Sequence, residues 1–199
     1  MRNRRLSLSA ALGAALALVV ATTAFAFSSS NAVNYANQWW NSRNPAYVAY
    51  GNDCANYVSQ VQFAGGYPIN TSANNPWYAN YGPGLAYSQS WRLVQYNRGF
   101  FLTDGGSVIR TYHGVKTAYP TGVALGDIVY YAWQNDHTFA SNSHGSVVTV
   151  LNGRATSSAY TGVLINAHSN DRYHEFFTLP GMNLYWQTTY IEIVHTRRP

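Results

Sequence analysis

The sequence predicts an α+β domain in which N-terminal helices pack on an antiparallel β-sheet. Apolar residues recur at helical spacing in the first half of the chain. Short runs rich in β-branched and aromatic residues, separated by turn residues, fill the second half. Because the helices precede the strands instead of alternating with them, the α+β class is favoured over a parallel α/β sheet.

The first residues have the pattern of a secretory signal peptide. Basic residues including Arg4-Arg5 precede an apolar run from Leu6 to Phe27, and Ala24-Phe25-Ala26 supplies small residues at alternate positions. We expect a signal peptide at 1-26, cleavage after Ala26 and a secreted domain at 27-199, extracellular or associated with the cell wall. An uncleaved anchor is the alternative, but the strictly apolar core is short for a bilayer. The paired arginines leave general and twin-arginine export open.

Composition excludes some classes of partner. Removal of the signal takes three arginines away, so the formal net charge falls from +5 to +2. No cluster of Lys and Arg is interleaved with aromatic residues, so we expect no nucleic-acid partner. The length after cleavage suits one domain, whose oligomeric state the sequence does not indicate, and we expect no stable membrane insertion.

Two helices are predicted near the start of the domain. The first covers Asn34 to Trp40, and the second begins after Asn52-Asp53 and continues to Ala64, where Gly65-Gly66 ends it. A long loop follows, then a short helix near Ser88 to Val94. The predicted strands are Gly126 to Trp133, His144 to Val150, Gly162 to His168 and Tyr190 to Val194.

Cys54 is the lone cysteine of the chain and the first candidate for chemistry. It falls in the first turn of the second helix, where free N–H groups and the helix dipole favour an anion. Such a position can lower a thiol pKa to between about 3.5 and 7.5, which makes the cysteine a nucleophile. The alternative is a small apolar residue packed with Tyr57 and Val58 on the same helix face.

A cysteine nucleophile needs a base and a group that orients the base. His144 opens a predicted strand after a polar loop, so the sheet can hold its imidazole firmly. Asn166 lies on the next strand and can accept the second imidazole N–H through its carbonyl oxygen. His168, two residues further and on the same face, is the alternative third member.

The ordered motifs resemble a known family. They are the segment from Asp53 to Gln60, Ala64-Gly65-Gly66, Ser88-Gln89-Ser90-Trp91, Gly126 to Tyr130, His144 at the head of a Val-rich strand, and Asn166 to Arg172. Together they resemble amidase domains of secreted bacterial proteins, which are related to the CHAP and NlpC-type peptidases of the papain-like superfamily. The resemblance covers nearly all of the chain after the signal peptide.

The resemblance implies a papain-like fold and a cysteine amidase or peptidase. It implies that Cys54 attacks an amide carbonyl, that His144 activates it, and that the third member comes from the segment 166–168. Where the family often has Gln before His-Thr, this chain has Ala167 before His168-Ser169, so the third member stays open between Asn166 and His168.

Two supporting residues and the absence of a cofactor complete the prediction. Asp53 is expected to cap the helix or hold the preceding loop, because a carboxylate beside a thiolate would oppose its activation. Gln60 is expected to pack or to make supporting hydrogen bonds. The fragment His168-x-x-Asp171-x-x-His174 has no further ligands at a recognisable spacing, so we expect no metal and no other cofactor.

The predicted function is therefore a secreted cysteine hydrolase that cleaves amide bonds of a peptide-like substrate. Wall peptidoglycan is a candidate substrate. The alternative is a non-catalytic extracellular module that binds a wall polymer or a protein partner on the same fold.

Overall fold

The computed structural model describes residues 26–114, 120–133, 137–140, 143–185 and 187–196. Four helices in this part of the chain come first: α1 (Ser29–Trp39), α2 (Cys54–Ala64), α3 (Gln89–Arg92) and α4 (Val94–Thr103). None of them is long and apolar enough to cross a membrane. The predicted signal peptide lies outside the described residues except for its last residue, Ala26.

Six strands form one sheet in the described part of the chain. They are β1 (Ser107–His113), β2 (Ile128–Ala132), β3 (Ser143–Arg154), β4 (Thr161–Ala167), β5 (Arg172–Phe176) and β6 (Tyr190–His195). Their order is β1-β6-β2-β3-β4-β5, and all neighbouring strands are antiparallel. This confirms the predicted α+β class with helices first and an antiparallel sheet.

Alternate side chains of the sheet enter two separate apolar clusters. On the helix side, Tyr130 and Val147 pack with residues of the helices such as Tyr57. On the other side, Tyr131 and Val148 pack with residues that follow β5 along the chain, among them Phe177. Both faces of the sheet are therefore covered, which is why every residue of β2 is buried.

The helix layer is joined to the sheet by polar contacts as well as by apolar packing. Arg98 of α4 donates from Nε and Nη2 to the two carboxylate oxygens of Glu192 in β6, at 2.6 and 3.0 Å. The Tyr130 hydroxyl donates to Oδ1 of the buried Asn97 at 2.6 Å. These bonds satisfy polar groups at the interface between the two layers.

The predicted elements are present, and three more appear. The second predicted helix and the four predicted strands are confirmed, with shifts at their ends. Helix α1 begins earlier than predicted, where the Ser28 hydroxyl accepts from the Asn31 N–H. Helix α4 and strands β1 and β5 were not predicted.

The predicted long loop belongs partly to the core. Trp77 is fully buried, and its ring stacks on Phe100 at a centroid distance of 5.3 Å. The ring of Trp91 lies 4.7 Å away. The loop's tryptophan is thus held inside the protein and is not available to stack on a ligand.

Candidate active site

Cys54 lies at the start of α2 and is 6% exposed. The backbone N–H groups of Gly145, Ala55 and Cys54 itself each act to lower the pKa of its thiol. A Cβ placed on Gly145 would lie 3.3 Å from Val58 Cγ2, so the missing side chain lets α2 lie close to β3. The first turns of α2, which carry Cys54, therefore lie close to the residue that follows His144.

His144 lies on β3 and is 7% exposed. Its ring stacks beside Trp133, with centroids 5.8 Å apart, and lies 5.7 Å from the ring of Tyr131. Its Nε2 atom is buried and has no hydrogen-bond partner among the described residues. The ring is thus oriented by aromatic neighbours.

Cys54 and His144 line the same cleft, whose volume is about 460 Å³. Other lining residues that bear on its chemistry are Asn52, Arg92, Trp133, Phe139, Asn170 and Arg172. The predicted nucleophile and the predicted base therefore border one opening, across ninety positions of sequence. They reach it from different faces of the sheet, since Cys54 packs in the helix-side cluster and His144 lies beside Tyr131 on the other side.

The two groups are uncharged at rest. Burial raises the pKa of the Cys54 thiol, the charge of Asp53 adds to the increase, and the three N–H groups oppose it without cancelling it. Burial lowers the pKa of His144 to about 3, helped by the positive charge of Arg172 and then of His168. The low thiol pKa expected from the helix position is therefore wrong, because burial of the sulfur outweighs the helix start.

Asn166 does not lie beside His144. Its Nδ2 donates to Ala36 O at 3.3 Å and to Asn37 Oδ1 at 3.0 Å in α1, and its Oδ1 accepts from the His174 N–H at 2.8 Å. It is paired in register with Val147, on the helix side of the sheet.

The sheet register explains this departure from the predicted triad. His144 is opposite Tyr131, whose side chain lies in the cluster on the far side of the sheet. Residues 144 and 147 are an odd number of positions apart, so their side chains emerge on different faces. The predicted Asn166 contact is corrected accordingly: Asn166 ties β4 to α1.

His168, the alternative third member, is 1% exposed and binds elsewhere. Its Nδ1 lies 2.7 Å from Asp53 Oδ2, its Nε2 lies 2.6 Å from Trp39 O, and its ring stacks on Tyr57 at 4.0 Å. Because the Trp39 carbonyl can only accept, Nε2 carries a hydrogen, and the bond to Asp53 holds a second, shared proton. His168 therefore acts on the residue before the nucleophile and makes no hydrogen bond to His144.

Asp53 is the centre of a buried polar cluster. Its carboxylate accepts from Asn56 Nδ2 at 2.7 Å and from the Tyr50 N–H at 3.1 Å, and Arg43 Nε lies 3.2 Å away. Its side chain makes no cap bond to α2, so the predicted capping role is corrected, whereas the predicted contact with the preceding loop is present.

The surroundings of Asp53 also set its charge. Burial favours the neutral carboxyl, but the hydrogen bonds from His168, Asn56 and the Tyr50 N–H outweigh it, and the pKa of Asp53 falls below its ordinary value. The Asp53 N–H donates to Ser169 Oγ at 2.6 Å. Together these contacts fix where α2 begins, and hence where Cys54 lies.

The remaining predicted residues have supporting positions. Gln60 is 3% exposed and accepts from the Tyr35 hydroxyl at 2.7 Å, in keeping with the supporting hydrogen bond expected of it. Asp171 pairs with Arg43 at 2.9 Å, and His174 Nε2 lies 3.1 Å from Asn37 Oδ1. No three His, Cys, Asp or Glu side chains come together to hold a metal in the part of the chain that the structure describes.

Sequence reasoning missed Arg172 and Trp133 as cleft residues. Trp133 ends a predicted strand, and Arg172 closes the last of the quoted motifs, but neither had a role assigned. The turn between β4 and β5 has left-handed backbone at Ser169 and Asn170, with φ of 62° and 109°. This turn aims the start of β5 back at the cleft, and consecutive polar residues after a strand were the available signal.

Comparison with known proteins identifies the family of the chain. Residues 26–194 match the family model described as Putative amidase domain. The chain is also 31% identical over 127 residues to Uncharacterized protein YhbB of Bacillus subtilis (strain 168). That alignment covers 63% of this chain and 38% of YhbB, so the chain spans less than half of that relative. No solved structure matches. The match over most of its length means that the chain belongs to the Putative amidase domain family.

Proposed function

We propose that this protein is a cysteine hydrolase of amide bonds, with Cys54 as nucleophile and His144 as general base. One observation carries the proposal. Both side chains line one cleft, and the backbone N–H of Gly145, the residue next to His144, favours the thiolate form of Cys54. Membership in the amidase family supports amides as the substrate class.

The charge state of the pair favours a particular first step. With a neutral thiol and a neutral imidazole on two sides of the cleft, the proposed step passes the proton of Cys54 to His144 through one water as the sulfur attacks the amide carbon. The C–N bond then breaks, the proton passes from His144 to the leaving amine, and a thioester remains on Cys54. Water attacks the thioester, giving a carboxylic acid and the free thiol.

Backbone groups at the start of α2 are the proposed oxyanion donors. The N–H groups of Cys54 and Ala55 lie in the first turn of α2, where a helix offers them no acceptor, and both favour the thiolate of Cys54. When the carbonyl carbon bonds to the sulfur, its oxygen comes within reach of the same groups. Preorganised donors of this kind contribute about 3 to 4 kcal/mol to such reactions.

The proposed machinery is a dyad with a positioning cluster. Asn166 and His168 make no hydrogen bond to His144. In this proposal the rings of Trp133 and Tyr131, which lie beside the imidazole, orient it instead. His168 acts through Asp53 on the position of Cys54. The arrangement is a variant of the papain-like plan of CHAP and NlpC-type peptidases, to which the sequence motifs are similar.

Export and a cell-wall substrate are part of the same proposal. The basic, apolar and small-residue order at 1–26 supports a secreted enzyme. Peptide amides of peptidoglycan are the proposed substrate, since such an enzyme meets them after export.

The test measures newly released amines. The mature protein is incubated with purified peptidoglycan and with N-acyl amino acids, as wild type, Cys54→Ala, His144→Ala and the control His113→Gln, which alters an exposed histidine on β1. We expect wild type and the control to release amine, and the two site variants to lose about a thousandfold or more in rate.

Two results would count against the proposal. Undiminished release by Cys54→Ala would remove the nucleophile from the mechanism. Equal inactivity of all four proteins, with equal binding to the polymer, would establish the non-catalytic binding module instead.

A further inference from the structure

Positive charge lines the cleft. Arg92 and Arg172 line it, and no Asp or Glu is among its described lining residues. Arg172 makes no ion pair within the described part of the chain: its Nε is buried without a hydrogen-bond partner, and its Nη1 donates to the Met182 sulfur. A thioether is a weak acceptor, so the guanidinium is left with unused donors.

The charge of Glu175 acts on Arg172, but the two side chains form no ion pair within the described residues. Glu175 accepts from Ser157 Oγ at 2.6 Å, and the Tyr131 hydroxyl donates to Phe177 O at 2.8 Å. A half-buried cation without a paired anion costs free energy. A ligand that brought an anion would remove this cost.

Arg172 stands at a junction between two cavities. Together with Trp133 and Asn170 it lines both the Cys54 cleft and a neighbouring cavity of about 300 Å³, which is closed on its other side by residues including Asn183 and Tyr185. Because Arg172 lines both cavities, a ligand that occupies either of them can reach its guanidinium. A planar carboxylate is the anion that fits a guanidinium with two parallel hydrogen bonds.

We propose that Arg172 binds a carboxylate of the substrate, so that the preferred substrates are amides with a free carboxylate close to the scissile bond, as in N-acyl amino acids and peptides. This assignment rests on the proposed amide hydrolysis and narrows its substrate class. Arg172 is then a specificity-determining residue, and Arg92 adds long-range attraction for the same anion.

A bound carboxylate also changes the base. After burial, the charge of Arg172 has the largest effect in holding down the pKa of His144. An anion on the guanidinium offsets that repulsion, so His144 accepts the thiol proton more readily once the correct substrate is in place. Neutral amides of the same size lack this effect.

Alkylation of Cys54 tests the carboxylate site without needing catalysis. Iodoacetate carries a carboxylate, and iodoacetamide is its neutral counterpart. The ratio of their rates is measured in the folded protein and divided by the ratio in the urea-unfolded protein, which corrects for their intrinsic reactivities. Wild type is expected to favour iodoacetate by on the order of tenfold, the size of one modest ionic contact.

Three variants assign the effect. Arg172→Gln should abolish the preference for iodoacetate, Arg172→Lys should restore part of it, and Arg110→Gln, which alters an exposed arginine on β1, should leave it unchanged. An unchanged preference in Arg172→Gln, or no preference in wild type, overturns the assignment.

A binding measurement decides the case in which neither reagent reaches the folded thiol. The thermal midpoint of wild type should rise more with N-acetylglycine than with N-acetylglycinamide or inorganic phosphate, and Arg172→Gln should lose the difference. Equal shifts overturn the assignment. If wild type hydrolyses neutral amides but shows no preference for a carboxylate, this inference alone is refuted. If wild type binds the carboxylate but hydrolyses no amide, the proposed reaction alone is refuted.

Discussion

Asp53 is the residue whose position next to the nucleophile most needs an explanation. A carboxylate beside Cys54 opposes ionisation of the thiol, and the sequence gives no reason for tolerating it. The structure supplies one, because His168, Arg43 and Asn56 all bind this carboxylate. Asp53 and His168 were each singled out from the sequence. Their pairing was not predicted, since the two residues are 115 positions apart.

Asp53→Asn is expected to lower the free energy of unfolding at pH 7 by about 3 kcal/mol, because it leaves His168 and Arg43 without their buried anion. The pKa of Asp53 is depressed in the folded protein. Its ionised carboxylate therefore contributes fully to stability above the ordinary aspartate pKa of about 3.9, and this contribution is lost as the pH falls through the lower pKa of the folded state. The difference between wild type and variant should therefore shrink in acid. Urea unfolding from pH 7 to pH 3 measures it.

The control for this substitution is Asp171→Asn. Asp171 pairs with the same Arg43, but its side chain is 34% exposed, so its loss should cost less than about 1 kcal/mol. Equal costs for the two variants would mean that the buried cluster around Asp53 does not stabilise the fold.

At the scale of elements, the site depends on how α2 meets β3. Helix α2 was predictable from Asn52-Asp53 before its start and Gly65-Gly66 after its end. Strand β3 was predictable from its run of valines. Strand β1 was not, because all seven of its residues are exposed or partly exposed and it has no apolar alternation to detect. Strand β5 was hidden because His174 adopts a φ of 49° within it.

Gly145→Ala is expected to reduce amide hydrolysis by about ten- to a hundredfold while lowering the free energy of unfolding by only about 1 kcal/mol. The new Cβ would press on Val58 Cγ2 and move the start of α2 away from β3, which lengthens the contact between the Cys54 sulfur and the residue 145 N–H. Steady-state kinetics and urea unfolding measure the two effects.

Gly51→Ala is the matched control, since a Cβ there meets nothing within 4 Å. Trimming Val58 to Ala in the Gly145→Ala background should restore part of the activity. Full activity of Gly145→Ala would show that the close approach of α2 to β3 is not needed for catalysis.

For the molecule as a whole, the predicted α+β class is confirmed, the assignment of Cys54 and His144 as nucleophile and base stays a prediction, and the expected contact of Asn166 with His144 is absent. The choice of Asn166 followed from its place on a neighbouring strand. Which face it occupies depends on the register between β3 and β4, and this pairing shifts twice along its length. A shift of one residue exchanges the two faces of a strand, so the triad could not be completed without coordinates.

The helix layer and the sheet are expected to be coupled through Arg98 and Glu192. Arg98→Met should lower the free energy of unfolding by about 3 kcal/mol, because Glu192 is 5% exposed and would be left without its cation. Thermal and urea unfolding measure the loss. Arg98→Met combined with Glu192→Gln should recover part of it, and Arg110→Met, at an exposed site, should change little. A double variant as unstable as the single one would show that the charge of Glu192 is not the cause.

The position of β6 has a consequence for synthesis of the protein. This strand is the last one along the described chain, yet it lies between β1 and β2. A nascent polypeptide that has emerged only as far as β5 therefore leaves β1 without its neighbour and β2 open along one side, next to the strand that carries His144. Long-range pairing of this kind is slow to form. We expect the chain to be inert towards amides until residues 190–195, which form β6, have been synthesised and can pair with β1 and β2.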